Sequence, residues 1–553
     1  MKLNYKKTIF VGFAFFLICA FWQAYDSIVP MMLVNKFGLN QTSSGVIMAL
    51  DNVLALFLLP LFGSVSDKTK TKLGKRTPYV LIGTIVATVF FTGMTFADNL
   101  QLNKLYENKN SAQIVQQIWD ENVEVSNAEK ILSDSVAPKF KVRDYASLIK
   151  YNKNYDLLTA AEKADAEEWF KSLTEKYTET YNYENGVYSL RSDGKGSHNA
   201  YTNLVSAARN KLAWQQTKTN PLPLVLFFCA LLITLLAMSL FRSPAVALMP
   251  DVTVKPLRSK ANAVINLLGT AGGVIVLLLG KIFRTGAVQN QMMKYTGFVL
   301  SVCGVMLTGL CLFMLKVREN KWAEEMKKES EELGIGEEEN KGETVVKKLD
   351  KEHLASLILI LASVALWYMG YNAVTSKYSL YATNYLHKDY NTTLLIAQAA
   401  AIITYVPVGF LAQKIGRRKS VLIGVAVLFI AFGGAIFVNS STPAALMYVF
   451  FALAGIGWAT INVNSFPMVV ELSSGGDVGK FTGYYYTASM AAQIFTPVLS
   501  GLVMDSVGSY AVLFPYAVIF VALSFVTMFF VKFGDSKPER KKDVLEMLDV
   551  SDD

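Results

Sequence analysis

Gly63-Ser-Val-Ser-Asp67-Lys68-Thr-Lys70-Thr-Lys72-Leu-Gly74-Lys75-Arg76-Thr-Pro78 lies between two apolar runs, 43–62 and 79–96, each long enough to cross a bilayer. Five cations crowd into its nine residues from Lys68 to Arg76, headed by one acid, Asp67. A shorter copy follows far downstream as Gly409-Phe-Leu-Ala-Gln413-Lys414-Ile-Gly416-Arg417-Arg418-Lys419, again between apolar runs. A basic hairpin that recurs between spans implies two homologous bundles in tandem, the plan of a membrane transporter.

The bulk composition agrees. With 553 residues, 52% of them hydrophobic and 18% charged, the chain is too apolar for an ordinary soluble enzyme. Its net charge of +9 does not mark a nucleic-acid partner, because the cations cluster in short turns between apolar segments, as the positive-inside rule requires. Cys19, Cys229, Cys303 and Cys311 all fall inside apolar runs, without metal-ligand spacing or a disulfide framework, and read as packing residues. Lys2, Lys6 and Lys7 precede the run 9–29, which is too long for a signal peptide and contains Asp26. It reads as a first span entering from the cytoplasm.

Twelve spans are predicted: 9–31, 43–62, 79–96, 221–241, 262–282, 295–315, 354–375, 392–412, 421–438, 444–464, 481–503 and 511–531. Both termini then lie in the cytoplasm of a plasma-membrane protein. Short inner segments carry seventeen Lys and Arg and short outer ones six (Lys36, Lys281, Arg284, Lys294, Lys377, Lys388), which fixes the orientation. The expected fold class is an all-α membrane protein of two six-helix pseudo-repeats. Its parts are 1–96 (helices one to three), 97–220 (an extracytoplasmic inserted domain), 221–316 (helices four to six), 317–353 (a solvated cytoplasmic linker), 354–531 (helices seven to twelve) and 532–553 (a cytoplasmic tail). The insertion is polar, Cys-free and nearly balanced in charge, with an amphipathic candidate at 160–177.

Internal alignment supports this division. Gly63 matches Gly409 at an offset of 346 and Gly74 matches Gly416 at 342, whereas Asp251 matches Glu471 and Lys260 matches Lys480 at 220. The offset falls by 122 residues between the third and fourth spans, almost the length of 98–220. That segment is an insertion into the first repeat.

The pattern Gly-x-x-x-Asp67-Lys68…Gly74-Lys75-Arg76-x-Pro78 resembles the loop between helices two and three of the major facilitator superfamily. Its extended form, with Thr-x-Thr-x-Leu before Gly74, is similar to the glycoside-pentoside-hexuronide cation symporters and the related sucrose transporters. Ser243-Pro244-x-x-Ala247-Leu248-x-x-Asp251 with Ala261-Asn262-Ala263 resembles the end of helix four and start of helix five in the sucrose transporters. There are departures. Val246 stands where the sucrose transporters place an arginine, Gln413 replaces the acid of the second hairpin, and Ala55 and Leu59 replace the paired acids of melibiose-type members. The resemblance therefore implies a cation-coupled sugar symporter working by alternating access, without transferring a substrate or an ion.

Candidate residues follow from polar groups inside spans. Asp51 sits in the middle of the second span, where a charge costs roughly 2.5–3.5 kcal/mol on insertion scales. It reads as a proton or cation site on a central cavity, or as a structural acid paired with a neighbouring helix. Asp26 is the second coupling candidate. It shares a helix face with Trp22 and Gln23, an aromatic beside an amide and an acid that suits a sugar, or else an interfacial Trp beside a wet acid. Asn262 and Asn266, with the close-packing Gly269-x-x-x-Gly273, form a stripe on helix five. Trp367, Tyr371, Asn372, Gln398, Trp458 and Asn462 are the polar or aromatic candidates of the second half, each individually as compatible with packing as with a ligand. Asp67, Lys68, Gly74, Lys75, Arg76, Asp251, Arg417 and Arg418 form the candidate gating set. Arg242, read as closing helix four on the cytoplasmic side, joins that set or is one more orientation charge.

Enzyme chemistry is not indicated. Ser474-Gly-Gly-Asp-Val-Gly-Lys480 lacks the first glycine and final Ser/Thr of a phosphate loop, and the three histidines (His198, His353, His387) are far apart. No cofactor and no metal site are expected. The expected partners are the lipid bilayer, H+ or Na+, and a small-molecule substrate, a di- or oligosaccharide first. The rival readings are a transporter of another polar metabolite and a non-transporting sensor that uses 97–220.

Overall fold

The computed structural model describes residues 3–107, 155–168, 181–184, 187–190, 207–254, 257–287, 290–332, 350–439, 442–472 and 478–534, and every structural statement concerns these. Most of the expected inserted domain (with His198), linker residues 333–349, the 473–477 part of the phosphate-loop-like stretch and the tail from 535 lie outside them, as do the side chains of Lys260, Gln413 and Lys480.

Lipid offers the backbone no hydrogen-bond partner, so each crossing has to satisfy its own amides as a helix. The first half contains α1 (Tyr5–Met31), α2 (Gln41–Lys68), α3 (Thr77–Glu107), α4 (Ala207–Thr219), α5 (Leu222–Val252), α6 (Arg258–Ile282) and α7 (Thr296–Lys316). After α8 (Glu319–Glu332), the second half contains α9 (Lys351–Leu380), α10 (Tyr390–Ile415), α11 (Arg417–Ala435), α12 (Ala444–Val470), α13 (Val478–Val507) and α14 (Leu513–Phe529). Eleven helices are long and apolar enough to span a membrane. In the place of the remaining expected span stands α10, whose 26 residues rise about 39 Å at roughly 1.5 Å per residue. Within the inserted stretch, residues 160–168 are helical, and β1 (Tyr181–Glu184) pairs antiparallel with β2 (Val187–Leu190).

The two halves repeat in detail. Both α1 and α9 end in a π-helical turn, Met32–Lys36 and Tyr381–Tyr385, and then bend at a positive φ, 70° at Gly38 and 54° at His387. Asn40 then caps α2 by accepting from the Ser43 amide, as Asp389 caps α10 by accepting from Asn391 and Thr392. Gly74 and Gly416, at φ 122° and 89°, turn the two basic hairpins. Each half buries its own apolar core, and Met31 at the end of α1 and Val34 in the π-helical turn after it join that of the second half.

Three boundaries differ from the sequence reading. α3 continues past 96 to Glu107, where Asp98, Asn99 and Gln101 find partners on neighbouring segments. Lys36 Nζ lies 2.5 Å from Asp98 with both side chains fully buried, donates to the Met293 carbonyl at 2.6 Å and sits 4.5 Å from the Tyr295 ring centroid. Gln101 donates to the Lys36 carbonyl and to Thr217 of α4, each at 3.0 Å, so the boundary set at 97 lies inside a packed helix. α5 likewise runs through Pro244 and Pro250 to Val252, with Arg258 donating to the Pro250 and Thr253 carbonyls at 3.0 and 3.1 Å. Arg242 therefore does not close that helix.

The third difference is the linker, which begins with α8 docked on the first half. Trp322 is buried in the first-half core, and Lys7 pairs with Glu325. The Glu319 carboxylate accepts the backbone amides of Lys75 (2.7 Å), Arg76 (2.9 Å) and Thr77 (2.8 Å) together with the Thr77 hydroxyl (2.7 Å). Those are the amides that a helix start leaves without intrahelical acceptors, so α3 is capped by a residue more than two hundred positions away. A Cβ at Gly74 would strike this carboxylate.

The face carrying the basic hairpins is called the basic face below, and its opposite the far face. The halves meet through α2 with α13, α6 with α10 and α1 with α9. Hydrogen bonds across this interface gather at the far end. Asp505 of α13 accepts from the amides of Gln41 (2.9 Å) and Thr42 (2.7 Å) and from the Thr42 hydroxyl (2.5 Å), capping α2 from the other half. Buried Lys377 donates to the Gln41 carbonyl at 2.8 Å, and Gln41 donates to Tyr510, which also accepts from Asn384. Asn384 reaches Asn35, Gln291 donates to the Thr383 carbonyl, and Thr285 meets Tyr390 at 2.9 Å. Gly45 and Gly501 bring the α2 and α13 backbones too close for any larger residue. The far end is sealed.

Two outcomes follow from the borrowed caps. Glu319→Ala should cost about 2 kcal/mol and speed amide exchange at Lys75–Thr77, whereas the exposed Glu329→Ala should not. Asp505→Ala should speed exchange at Gln41 and Thr42 by about tenfold or more while leaving both apolar cores protected, read by hydrogen–deuterium exchange.

Candidate binding cavity between the halves

Between the halves lies a cavity of about 480 Å³, a volume within the range of small-molecule sites. α1, α2, α5 and α6 wall it from one side and α9, α10, α12 and α13 from the other. The walls differ in kind. The charged residues among those lining it, Asp26, Asp51 and Arg242, all belong to the first half. The second half contributes neutral polar and aromatic groups, among them Tyr371, Asn372, Gln398, Tyr405, Trp458 and Gln493.

Asp51 accepts from the Asn52 side chain at 2.8 Å, and its charge interacts with that of Arg242. The Arg242 guanidinium lies 5.9 Å from the centroid of the Trp22 ring, which is held edge-on by Phe21 and Tyr25. Arg242 thus faces the cavity beside Asp51, in place of the helix-end role expected for it. Asp26 also lines the cavity and is electrostatically coupled to Asp51. On the opposite wall Tyr371 and Trp458 stack at 5.9 Å and 23°, with Tyr405 edge-on to Trp458 at 6.2 Å. Gln398 donates to Gln23 at 2.6 Å across the cavity, and Gln23 donates to Ser27 at 3.2 Å. Trp22 Nε1, Asn372 Nδ2 and Gln398 Oε1 are buried with no hydrogen-bond partner among the described residues. Buried polar atoms are ordinarily paired, so three such atoms on the walls of one cavity mark places where a polar ligand or water completes the bonding.

The structure brings ten of the sequence candidates to the cavity: Trp22, Gln23, Asp26, Asp51, Arg242, Asn266, Tyr371, Asn372, Gln398 and Trp458. It leaves three aside. Trp367 is fully buried and stacks on Tyr368 at 3.9 Å, behind Tyr371, while Asn462 is buried within α12, and Asn262 is half-buried on the first turns of α6. The glycine stripe also divides. Gly269 and Gly272 admit α1 to close contact, whereas Gly273 faces Gln23 and Gln398. Missed by the sequence reading were Asn52, Thr375, Ser376, Ser379, Tyr405 and Gln493. Helical spacing could have found some of them, since Thr375 and Ser379 follow Tyr371 at intervals of four, as Ser376 follows Asn372.

The gating candidates assemble on the basic face. Arg76, buried, donates to Asp251 at 2.8 Å, to Asp67 and to Ser66, and Lys75 pairs with Asp251 at 3.0 Å. Burial works against the charge on Arg76, but hydrogen bonding to Asp251 and the charges of Asp251 and Asp67 outweigh it and hold the guanidinium above its ordinary range. Lys68 is exposed. In the second half Arg417, at the position matching Lys75, pairs with Glu471, which matches Asp251, and Arg418 donates to the Phe529 carbonyl. The same acid-to-hairpin clasp recurs in both halves.

Comparison with known proteins supplies the family. Residues 360–548 match the family model described as Major Facilitator Superfamily, and residues 10–104 match the one described as MFS/sugar transport protein. The chain is 29% identical over 137 residues to the MFS-type transporter ppzB of Metarhizium majus, a match that spans 25% of this chain and 29% of that protein. The fold resembles the inward open conformation of the xylose transporter XylE from E. coli, with a TM-score of 0.54 and 13% identity over 99% of both chains. It also resembles a bacterial homologue of the iron transporter ferroportin in its inward-facing state, with a TM-score of 0.53 and 12% identity over 96% of this chain and 99% of that one. With its repeated basic hairpins and its matches to two family models of that superfamily, the chain belongs to the major facilitator superfamily.

Proposed function

We propose that the protein is a secondary active transporter that carries a sugar or glycoside, a di- or oligosaccharide first, together with H+ or Na+ by alternating access. The observation that carries this reading is the division of the cavity into a charged wall and a neutral polar-aromatic wall, sealed on the far side. A sugar presents apolar C–H faces that stack on rings and hydroxyls that pair with amides. The Tyr371–Trp458 stack and the side chains of Asn372 and Gln398 offer both. Asp51 is the first coupling site and Asp26 the second. An acid that gains a cation loses the charge that draws Arg242 to it, which changes the balance between the two cavity states. The match of 10–104 to a sugar-transport family model, and the hairpin's likeness to the glycoside-pentoside-hexuronide and sucrose branch, support the substrate class.

In this reading the basic face is cytoplasmic, as the Lys and Arg distribution requires, the far face and the stretch 97–220 lie outside, and the protein resides in the plasma membrane. The repeated clasps of Arg76 with Asp251 and Asp67, and of Arg417 with Glu471, act as gating elements that hold each bundle's inner end rigid while the bundles rock. Among the described residues no His, Cys, Asp or Glu group is arranged to hold a resident metal ion.

Two measurements test the proposal. Asp51→Asn in proteoliposomes should abolish gradient-driven accumulation, by about tenfold or more, while leaving counterflow of labelled sugar. Unchanged accumulation dismisses Asp51, and absence of counterflow in the unaltered protein favours a sensor. A thermal-shift panel of mono-, di- and oligosaccharides against amino and organic acids should raise Tm only with sugars, since a ligand at about a hundred times its Kd adds about 2.7 kcal/mol. A shift with the acids alone moves the substrate class to another polar metabolite.

A further inference from the structure

We propose that the hydrogen bond between Gln23 and Gln398 is a bolt holding the far side of the cavity shut, and that two hydroxyls on adjacent carbons of the ligand replace it. This deepens the transport reading above and rests on it for the ligand. Gln23 lies eight residues from the end of α1 and Gln398 eight residues from the start of α10, so both sit at one depth, about 12 Å inward from the far ends of their helices. Beyond them toward the far face come the cross-half bonds of Thr285 with Tyr390 and of Asn35 with Asn384. Toward the basic face comes the cavity, which both glutamines line. The pair is the cross-half bond at the boundary between the sealed interface and the binding space.

Its chemistry is half-complete. Gln398 Nε2 donates to Gln23 Oε1 at 2.6 Å, whereas Gln398 Oε1 is buried with no partner among the described residues. An amide places one donor and one acceptor side by side, the complement of a vicinal diol in which one hydroxyl accepts and its neighbour donates. A ligand so placed satisfies the orphaned oxygen and engages the amide's second N–H, and because the two N–H groups are fixed in one plane, the turn that aligns this one carries the other off Gln23. Gly273 borders the pair without a side chain: a Cβ there would stand in contact at 3.5 Å from Gln398 Nε2 and 3.7 Å from Gln23 Oε1. The space beside the bond is thus left free on the α6 side. Gln23, released, retains its own bond to Ser27. Ligand binding and the loosening of the far side become one event, and a ligand lacking the second hydroxyl leaves Gln398 Oε1 unpaired and the bolt in place.

Cys19, which lines the cavity, reports the state of the bolt without any ligand. In vesicles of known orientation, with Cys229 and Cys311 changed to Ala and buried Cys303 retained, a membrane-impermeant maleimide applied at the far face should label Cys19 slowly. Gln23→Leu and Gln398→Leu should each raise that rate roughly fivefold, the population shift expected when one ordinary buried hydrogen bond is lost. Gln23→Asn, one methylene too short to reach, repeats the test with polarity kept, and Asp505→Ala sets the scale for an opened far face. In the ligand arm, any sugar of the thermal-shift panel that stabilises the protein should bind Gln398→Leu about tenfold more weakly than the unaltered protein and clearly more weakly than it binds Gln23→Leu. Far-face labelling at the unaltered rate in all three glutamine variants overturns the bolt, as does equal loss of sugar affinity in both leucine variants. A panel that yields no sugar shift defeats the sugar reading alone, and the labelling rates still decide the bolt.

Discussion

A helix begins with backbone amides that have no acceptor within it, and beside a bilayer little water is at hand to supply one. The architecture follows from where those acceptors come from. α10 takes its cap from Asp389, next to it in sequence, and α2 takes one from Asn40. α2 takes a second from Asp505 in the other half, and α3 takes its cap from Glu319 in the linker helix. These two borrowed carboxylates do what local ones cannot. Glu319 fixes α8 to the basic hairpin of the first bundle, and Asp505 joins the bundles to each other at the far end. A negative charge is also favoured there by the helix dipole, so each contact is electrostatic as well as hydrogen-bonded.

The same economy shapes the charges. Arg76 is buried, and so must be met by acids; Asp251 and Asp67 meet it, and the hairpin's fold is the consequence. In the second half the clasp is rebuilt with Arg417 and Glu471 although the second acid is gone from the sequence. The cavity, by contrast, breaks the pseudo-symmetry. Its lining charges come from one bundle, while the facing bundle offers a neutral wall of rings, amides and hydroxyls. Duplication gave two equivalent scaffolds, and their inward faces then took separate tasks.

Much of this was legible from single residues. The repeat was visible in Gly63 and Gly409, and the positive φ of Gly74 and Gly416 shows the physical need behind that signal. Asp51 stood out because an acid in an apolar run is costly without a purpose, and it lines the cavity. Other readings failed for identifiable reasons. The polar end of α3 looked like the start of a separate domain, since nothing in the sequence says that Lys36 will bury its charge against Asp98. Arg242 looked like a helix end because the apolar run 221–241 stops just before it, yet the helix continues through Pro244 to Val252. Trp367 and Asn462 carry the same chemistry as Trp458 and Asn372, and differ only in the direction they face.

The sequence by itself determined what local physics can determine: which segments are apolar enough to be helices in lipid, where the cations cluster, and that the basic hairpin recurs in a second half. These depend on composition and spacing, which do not change with the fold. Only the tertiary structure decided which polar groups share a cavity, which face is sealed, and which carboxylate caps which helix. Those depend on the rotation of each helix about its axis and on contacts such as Glu319 to Thr77 and Asp505 to Thr42, made between residues 242 and 463 positions apart. Helical periodicity repeats every few residues and holds no record of separations that long.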